Sequence, residues 1–404
     1  MKILHTADWH IGKRLHKYDL LDDFRLFKEW LISYIKESEV EVVLVSGDIF
    51  DLATPSSEAQ KAYFDMLLAL RDLNCKVIMT GGNHDSPRVL NAPASLLEAM
   101  NIHVIGNLPE DLENVLVPLR EKDGSLKVVI AAVPYLRESD LRTPSEDGGM
   151  NDKVEIIRKG IAEVFRQTAQ VCEAQYPGIP AIAMGHLFAA GVSTSESERE
   201  IQIGNEASFE ATGFGTYFNY IALGHIHRPQ QVSGDVPTFY SGSPMPLSFS
   251  EKEDQKRILV LDTDTWKVGS IPIPSFRKLL KIKGSMNHLK IQLEAVEKEG
   301  ALDTLVELEL VEEQFDVVQI KELDQMVSDF SKEGVEVVKH RVSFKNTPKR
   351  MVQHFDGQTE LEDLQPREVF EKLLGDRVVE EENKNLIREA FIEILEEVYS
   401  AEEI

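Results

Sequence analysis

A chain of 404 residues, 42% hydrophobic and 28% charged, is long enough for two or three domains around a sizeable core. Its 69 acidic residues against 44 basic ones give a net charge of −25, which argues against nucleic acid bound by the chain's overall charge and leaves a local patch, bound cations or a partner's surface as routes to it. No apolar run approaches the roughly 20 residues of a membrane helix, no signal peptide is evident, and Cys75 and Cys172 suggest neither a disulfide framework nor a Cys-rich zinc site, so a cytosolic protein without a membrane role is expected.

In chain order, Ile3-Leu4 opens a strand, and Leu20, Phe24, Phe27, Leu31 and Tyr34 recur at helical spacing. Val42 to Val45 is a buried-strand run, Ala62, Met66, Leu70 and Leu73 form a second helical stripe, and Val77-Ile78-Met79 is the next strand. Further runs lie at Val128 to Val133, Ile179 to Met184, Tyr220 to Leu223 and Ile258 to Leu261. Strand–helix alternation of this kind predicts an α/β layered domain over residues 1–275, more strand-rich in its later part. Beyond Pro274 the pattern changes. Residues 278–345 predict a small α+β domain whose strand Thr304 to Leu310 alternates with period two, as in a half-exposed sheet. Residues 346–360 read as a linker. The acidic segment 361–404 is helical, with Leu386, Phe391, Ile394 and Leu395 on one apolar face that either packs back on its own domain or receives a partner.

Five places share one pattern: an apolar run, a glycine or other small residue, then residue types that bind metals. They are HTADWHIG (Asp8, His10), VSGDIFD (Asp48, Asp51), TGGNHDS (Asn83, His84, Asp85), AMGHLF (His186) and ALGHIHRPQ (His225, His227). Each has a plain reading by itself. Asn83 and Asp85 suit any strand-ending turn, Gly47-Asp48 could cap a helix, and His186 could be a satisfied core histidine. The named positions take five of the 11 histidines, which chance scatter does not explain. Ligands bind beyond the carboxyl ends of strands in open α/β sheets, so the five loops can converge on one crevice. Carboxylate, amide and imidazole donors without thiolate suit Mn, Fe or Zn better than Ca. Eight ligand slots are too many for one ion and about right for two sharing a carboxylate.

These motifs resemble the calcineurin-like metallophosphoesterase superfamily, whose signature runs D-x-H, G-D, G-N-H-D/E, H and G-H-x-H. The resemblance covers residues 1–275 and implies a four-layer α/β/β/α sandwich with a small capping domain and a helical tail. HLF with SESER (Ser195 to Arg199), GHIHRPQ and YSGSPMPLSFSE are similar to the DNA-nuclease subunits that partner an SbcC-type coiled-coil ATPase in DNA repair. Carried over residue by residue, the resemblance implies one divalent ion at Asp8, His10, Asp48 and His227. It implies a second at Asp48, Asn83, His186 and His225, with Mn²⁺ first and Mg²⁺, Fe²⁺ or Zn²⁺ as alternatives. His84 would donate a proton or hydrogen bond to the scissile phosphate, with Asp85 orienting it. Relatives often carry His where this chain has Asp51, so Asp51 is expected behind the ligands rather than among them. The implied partners are DNA and the ATPase, in a heterotetramer containing a homodimer of this chain. Lys13, Arg14 and Arg88 are candidate phosphate contacts, and Leu386, Phe391, Ile394 and Leu395 the candidate docking stripe. Two rivals are a free-standing phosphatase or phosphodiesterase on the same centre, and a non-catalytic scaffold, against which the complete ligand set argues.

Overall fold

The computed structural model describes residues 1–141, 150–199, 201, 208–313 and 317–344. The linker at 346–360 and the tail stripe of Leu386, Phe391, Ile394 and Leu395 lie outside the described residues.

Two six-stranded sheets stack face to face. The first is built on four parallel strands, Lys2–Thr6, Val42–Ser46, Lys76–Thr80 and Ile102–Ile105, in that order. A hairpin of Arg257–Asp262 and Lys267–Pro272 closes its other side, antiparallel to Lys2–Thr6. The second sheet has a parallel centre of Leu126–Ala132, Ala181–His186, Tyr220–Gly224 and Thr238–Tyr240, flanked by antiparallel Leu116–Arg120 and Gln230–Val232.

Strands buried on both faces need apolar residues at every position, which is why these read as unbroken runs. Ile3, Val42, Leu44 and Ile78 meet Val128, Ile130, Ile182 and Met184 between the sheets. The alternate residues Leu4, Val43, Val45, Val77 and Met79 face outward to helices. There Leu21–Ser38 buries Phe24, Phe27, Leu31 and Ile35, and Ser57–Asp72 buries Tyr63, Met66, Leu67 and Leu70. The second helix starts where the Ser56 hydroxyl accepts from Ala59 N–H at 3.2 Å. Across the molecule, Met150–Gln175 lays Ile157, Ile161 and Phe165 on Val129, Ala131 and Ala183. The four layers are therefore α/β/β/α. No helix among the described residues is long and apolar enough to cross a membrane.

A third sheet, ordered Leu279–Gly284, Thr304–Glu312, Val335–Phe344, carries the helices Met286–Ala295 and Val317–Asp329 and encloses its own core around Leu289, Val306, Leu308 and Leu323. It belongs to the same compact unit as the sandwich. Leu279 and Leu305 join the sandwich's outer core. Arg277 makes a paired bond to Asp23 (2.9 and 2.8 Å), donates to the Asp303 carbonyl at 2.7 Å and lies 4.6 Å over the Tyr18 ring. The edge strands are half-exposed, but the central strand is more covered than its alternation suggests: Thr304 to Leu310 is buried at every position. As the central strand it is flanked on both edges, and its glutamates are covered by basic side chains from those neighbours. Lys281 reaches Glu307 at 3.3 Å, while Lys283 and Arg341 reach Glu309 at 2.5 and 2.8 Å. Alternating charge here marks ion pairing beneath long side chains rather than a wet face.

Candidate metal centre

Because the central strands of both sheets are parallel and in register, their carboxyl ends emerge along one edge of the sandwich. Thr6 pairs with Val45, Ser46 with Thr80 and Gly224 with His186, so all five motif loops begin within one or two residues of that edge. The loops are turned by unusual backbone. Asp8, His10, Asp48 and His225 have φ of 52°, 43°, 48° and 101°, conformations that L residues hold only when their surroundings enforce them. The enforcement is visible in the side chains between. Trp9 is fully buried against Phe24 and Phe27 and Ile226 is fully buried in the second sheet's core, so Asp8, His10, His225 and His227 turn to the crevice. Gly82 is required by proximity: a Cβ there would stand 2.1 Å from Asp48 Oδ1.

Six of the seven expected donors meet as two neighbouring clusters. Asp8, His10 and His227 form one, Asp48, His186 and His225 the other, and within each the donor atoms lie within 4.8 Å of one another. Asp48 Oδ2 stands between them, 3.5 Å from His10 Nε2 and 3.4 Å from His186 Nε2. Asn83 Oδ1 lies 2.9 Å from His186 Nε2 and 3.2 Å from His225 Nδ1. Six of the seven are buried, and Asn83 is half-buried.

The arrangement fits cations. His10 Nδ1 donates to Asp51 Oδ1 at 3.2 Å, which fixes the tautomer and leaves Nε2 as a bare lone pair, and His186 Nδ1 donates to the Ser46 carbonyl at 3.0 Å, which turns its Nε2 to the crevice. His10 Nε2 nevertheless faces His227 Nε2 at 3.1 Å, and His186 Nε2 faces the oxygens of Asn83 and Asp48. Asp8 Oδ2 and His225 Nε2 are buried with no hydrogen-bond partner among the described residues. Lone pairs converging in a dry crevice repel one another unless a positive ion lies among them. Burial sets the local electrostatics: it raises the Asp8 carboxyl to about 7 and lowers His10 to about 4 and His225 well below its ordinary value. At His186 burial is outweighed by Asp48, which draws the imidazole up to about 9. The donor set is suited to divalent metal ions.

His84 stands beside this centre, its ring 4.6 Å from that of His10, and with His10 and Asp48 it makes a third group of close donor atoms. Its Nδ1 donates to the Asp51 carbonyl at 2.7 Å and its backbone N–H to Asp48 Oδ1 at 2.9 Å. The expected orienting role of Asp85 is not what the geometry gives. Asp85 accepts from the N–H groups of Ile49, Phe50 and Gly82 at 3.0, 2.9 and 2.9 Å, bracing the Asp48 loop against the Asn83 loop. A carboxylate at such a turn satisfies unpaired backbone donors first, and the backbone of Asp51 orients His84 instead. Asp51 itself stands behind His10, where the His10 imidazole and the Lys13 ammonium hold its carboxyl below the usual range against the effect of burial. Lys13 pairs with Asp51 at 3.1 Å, so it is part of the crevice wall; Arg14 and Arg88 are exposed.

Residues to which the sequence pattern gave no role also converge here. Ser197, Glu198, Glu251 and Lys256 surround His227. For Ser197, Glu198 and Glu251 the only signal was the density of Ser and Glu in SESER and PLSFSE, and for Lys256 there was none.

Known proteins share these patterns. Residues 1–229 match the family model described as Calcineurin-like phosphoesterase, and residues 275–377 match one described as Type 5 capsule protein repressor C-terminal domain. The chain is 35% identical over 273 residues to a Rhodobacter capsulatus protein named as the D component of the nuclease SbcCD, covering 65% of this chain and 66% of that one. It is 32% identical over 304 residues to the protein of that name in Escherichia coli K12, with 73% and 74% covered. The Bacillus subtilis protein of that name is 30% identical over 293 residues, with 70% and 73% covered.

Proposed function

The chain belongs to the calcineurin-like phosphoesterase family, and on that premise we propose that it is the nuclease subunit of an ATP-dependent DNA-repair complex. In this reading it hydrolyses phosphodiesters at double-strand ends and in single-stranded or hairpin DNA, in partnership with an SbcC-type coiled-coil ATPase. The observation that carries the chemistry is the pair of donor clusters with Asp48 Oδ2 close to an imidazole of each, and His84 alongside. The names of the relatives support the choice of DNA.

Asp8, His10, Asp48 and His227 would hold one ion, and Asp48, Asn83, His186 and His225 the other, with Mn²⁺ as the ion the mixed oxygen and imidazole donors favour. When bound, such a pair polarises a phosphoryl oxygen and makes water a competent nucleophile near neutral pH. The chain's own residues do the rest. Asp48 and Asp8 supply the negative charge that a divalent pair requires, and the parallel strand ends keep the donors fixed before substrate arrives. His84, held through Nδ1 by the Asp51 carbonyl, has Nε2 left to meet the leaving sugar oxygen. The net charge of −25 makes the chain a poor DNA binder by itself. A basic partner surface resolves this, with Arg14 and Arg88 as local phosphate contacts and the stripe of Leu386, Phe391, Ile394 and Leu395 docking on the coiled coil. A homodimer within a cytosolic heterotetramer is the assembly that goes with this reading.

The test is hydrolysis with Mn²⁺ of a DNA hairpin and of p-nitrophenyl phosphate, with and without the ATPase. Hairpin cleavage that the ATPase and ATP stimulate, with little monoester turnover, is the expected result. Efficient monoester turnover with intact DNA would make the protein a phosphatase instead.

A further inference from the structure

His227 is gripped more completely than any other donor in the crevice. Its backbone N–H donates to Glu198 Oε1 at 2.9 Å, and its carbonyl accepts from Lys256 Nζ at 2.8 Å. Its Nδ1 meets the Ser197 hydroxyl at 2.5 Å, and that hydroxyl in turn donates to Glu251 Oε1. The other oxygen of Glu251 accepts from Lys256 at 2.6 Å, and Lys256 directs its third proton to the Ser243 hydroxyl at 2.9 Å. Glu251 is fully buried and Lys256 is 4% exposed. A buried ion pair contributes little net stability compared with apolar residues of the same size. This one anchors a chain of hydrogen bonds ending on an imidazole.

The two halves of the centre differ in this respect. A carboxylate stands behind each imidazole of the first cluster: Asp51 directly behind His10, and Glu251, through Ser197, behind His227. In the second cluster His186 leans on the neutral carbonyl of Ser46. A carboxylate behind a metal-binding imidazole fixes its tautomer and strengthens it as a donor, and its loss typically weakens the metal.

We propose that Ser197, Glu251 and Lys256 are positioning residues that set His227 as a donor, and so control the affinity of the ion held with Asp8 and His10 and not that of its neighbour. This rests on the two-ion reading above. It gives a role to the serine- and glutamate-rich segments at Ser195 to Arg199 and Leu247 to Glu251, which supply no donor of their own.

Mn²⁺ titration of the metal-free full chain, followed by electron paramagnetic resonance, tests it in the wild type, Ser197→Ala and Glu251→Gln. The wild type should take two ions and show the signal of a coupled pair. Each variant should bind one ion as the wild type does and the other about 10–100-fold more weakly, with the coupled signal displaced to higher Mn²⁺. Glu251→Gln strands the Lys256 charge and is the variant at risk of not folding. Ser197→Ala keeps the ion pair, and its metal-free thermal unfolding should match the wild type. Variants that titrate as the wild type, or that lose both ions equally, overturn the proposal while leaving the two-ion reading standing. A wild type that takes fewer than two ions overturns that reading and the proposal with it.

Discussion

Asp48→Asn is expected to strip both ions from the protein while leaving the fold intact. The amide keeps the shape of the carboxylate and the bond its Oδ1 accepts from the His84 N–H at 2.9 Å, so the Asn83–His84 loop stays in place. What disappears is the single charge placed between His10 and His186, at 3.5 and 3.4 Å. Loss of residues that merely support ligands weakens metals about 10–100-fold. Loss of a shared ligand should cost at least that for each ion, taking hydrolysis to background at micromolar Mn²⁺. Metal analysis after gel filtration, with circular dichroism as the control for folding, checks it. A variant that retains one tightly bound ion would mean that Asp48 serves only one of them.

His84→Ser should separate binding from chemistry. Hydrolysis should fall by about 10²–10⁴-fold, the usual contribution of a general acid or base, while both ions remain. The prediction is sharp because the geometry alone admits another outcome: His84 lies close enough to His10 and Asp48 to be a donor itself. Its Nδ1 is committed to the Asp51 carbonyl, so Nε2 must serve either metal or substrate. Burial also lowers the pKa of His84, which leaves it neutral at pH 7 in the free protein. Substrate phosphate, as an anion, favours its protonation and readies it to donate. Loss of an ion in the Ser variant would make His84 a ligand.

Much of this centre was legible because strand and ligand patterns are local. Buried parallel strands require unbroken apolar runs, and a ligand loop must start where the run stops, so Asp8, Asp48, Asn83, His186 and His225 could be read from the breaks. The fold follows from the same runs. Side-chain direction inside a turn is not local, and there the reading failed. Asp85 adjoins His84 in sequence yet points to the amides of Ile49, Phe50 and Gly82, a choice set by how two loops meet. Thr304 to Leu310 shows the same limit. Its alternating glutamates read as a wet face because the lysines and arginine that cover them come from other strands. Ser197 and Glu251 are the extreme case, 54 residues apart and joined only in the folded chain. His225 and His227 come from one loop and lie in different clusters of the crevice, with a φ of 101° at His225.

Anomalous diffraction from Mn²⁺-soaked crystals of the full chain would locate the ions themselves. Two peaks about 3.5–4 Å apart are expected, both in contact with Asp48, one also touching Asp8, His10 and His227 and the other Asn83, His186 and His225. A single peak, or two peaks that do not share Asp48, would contradict it.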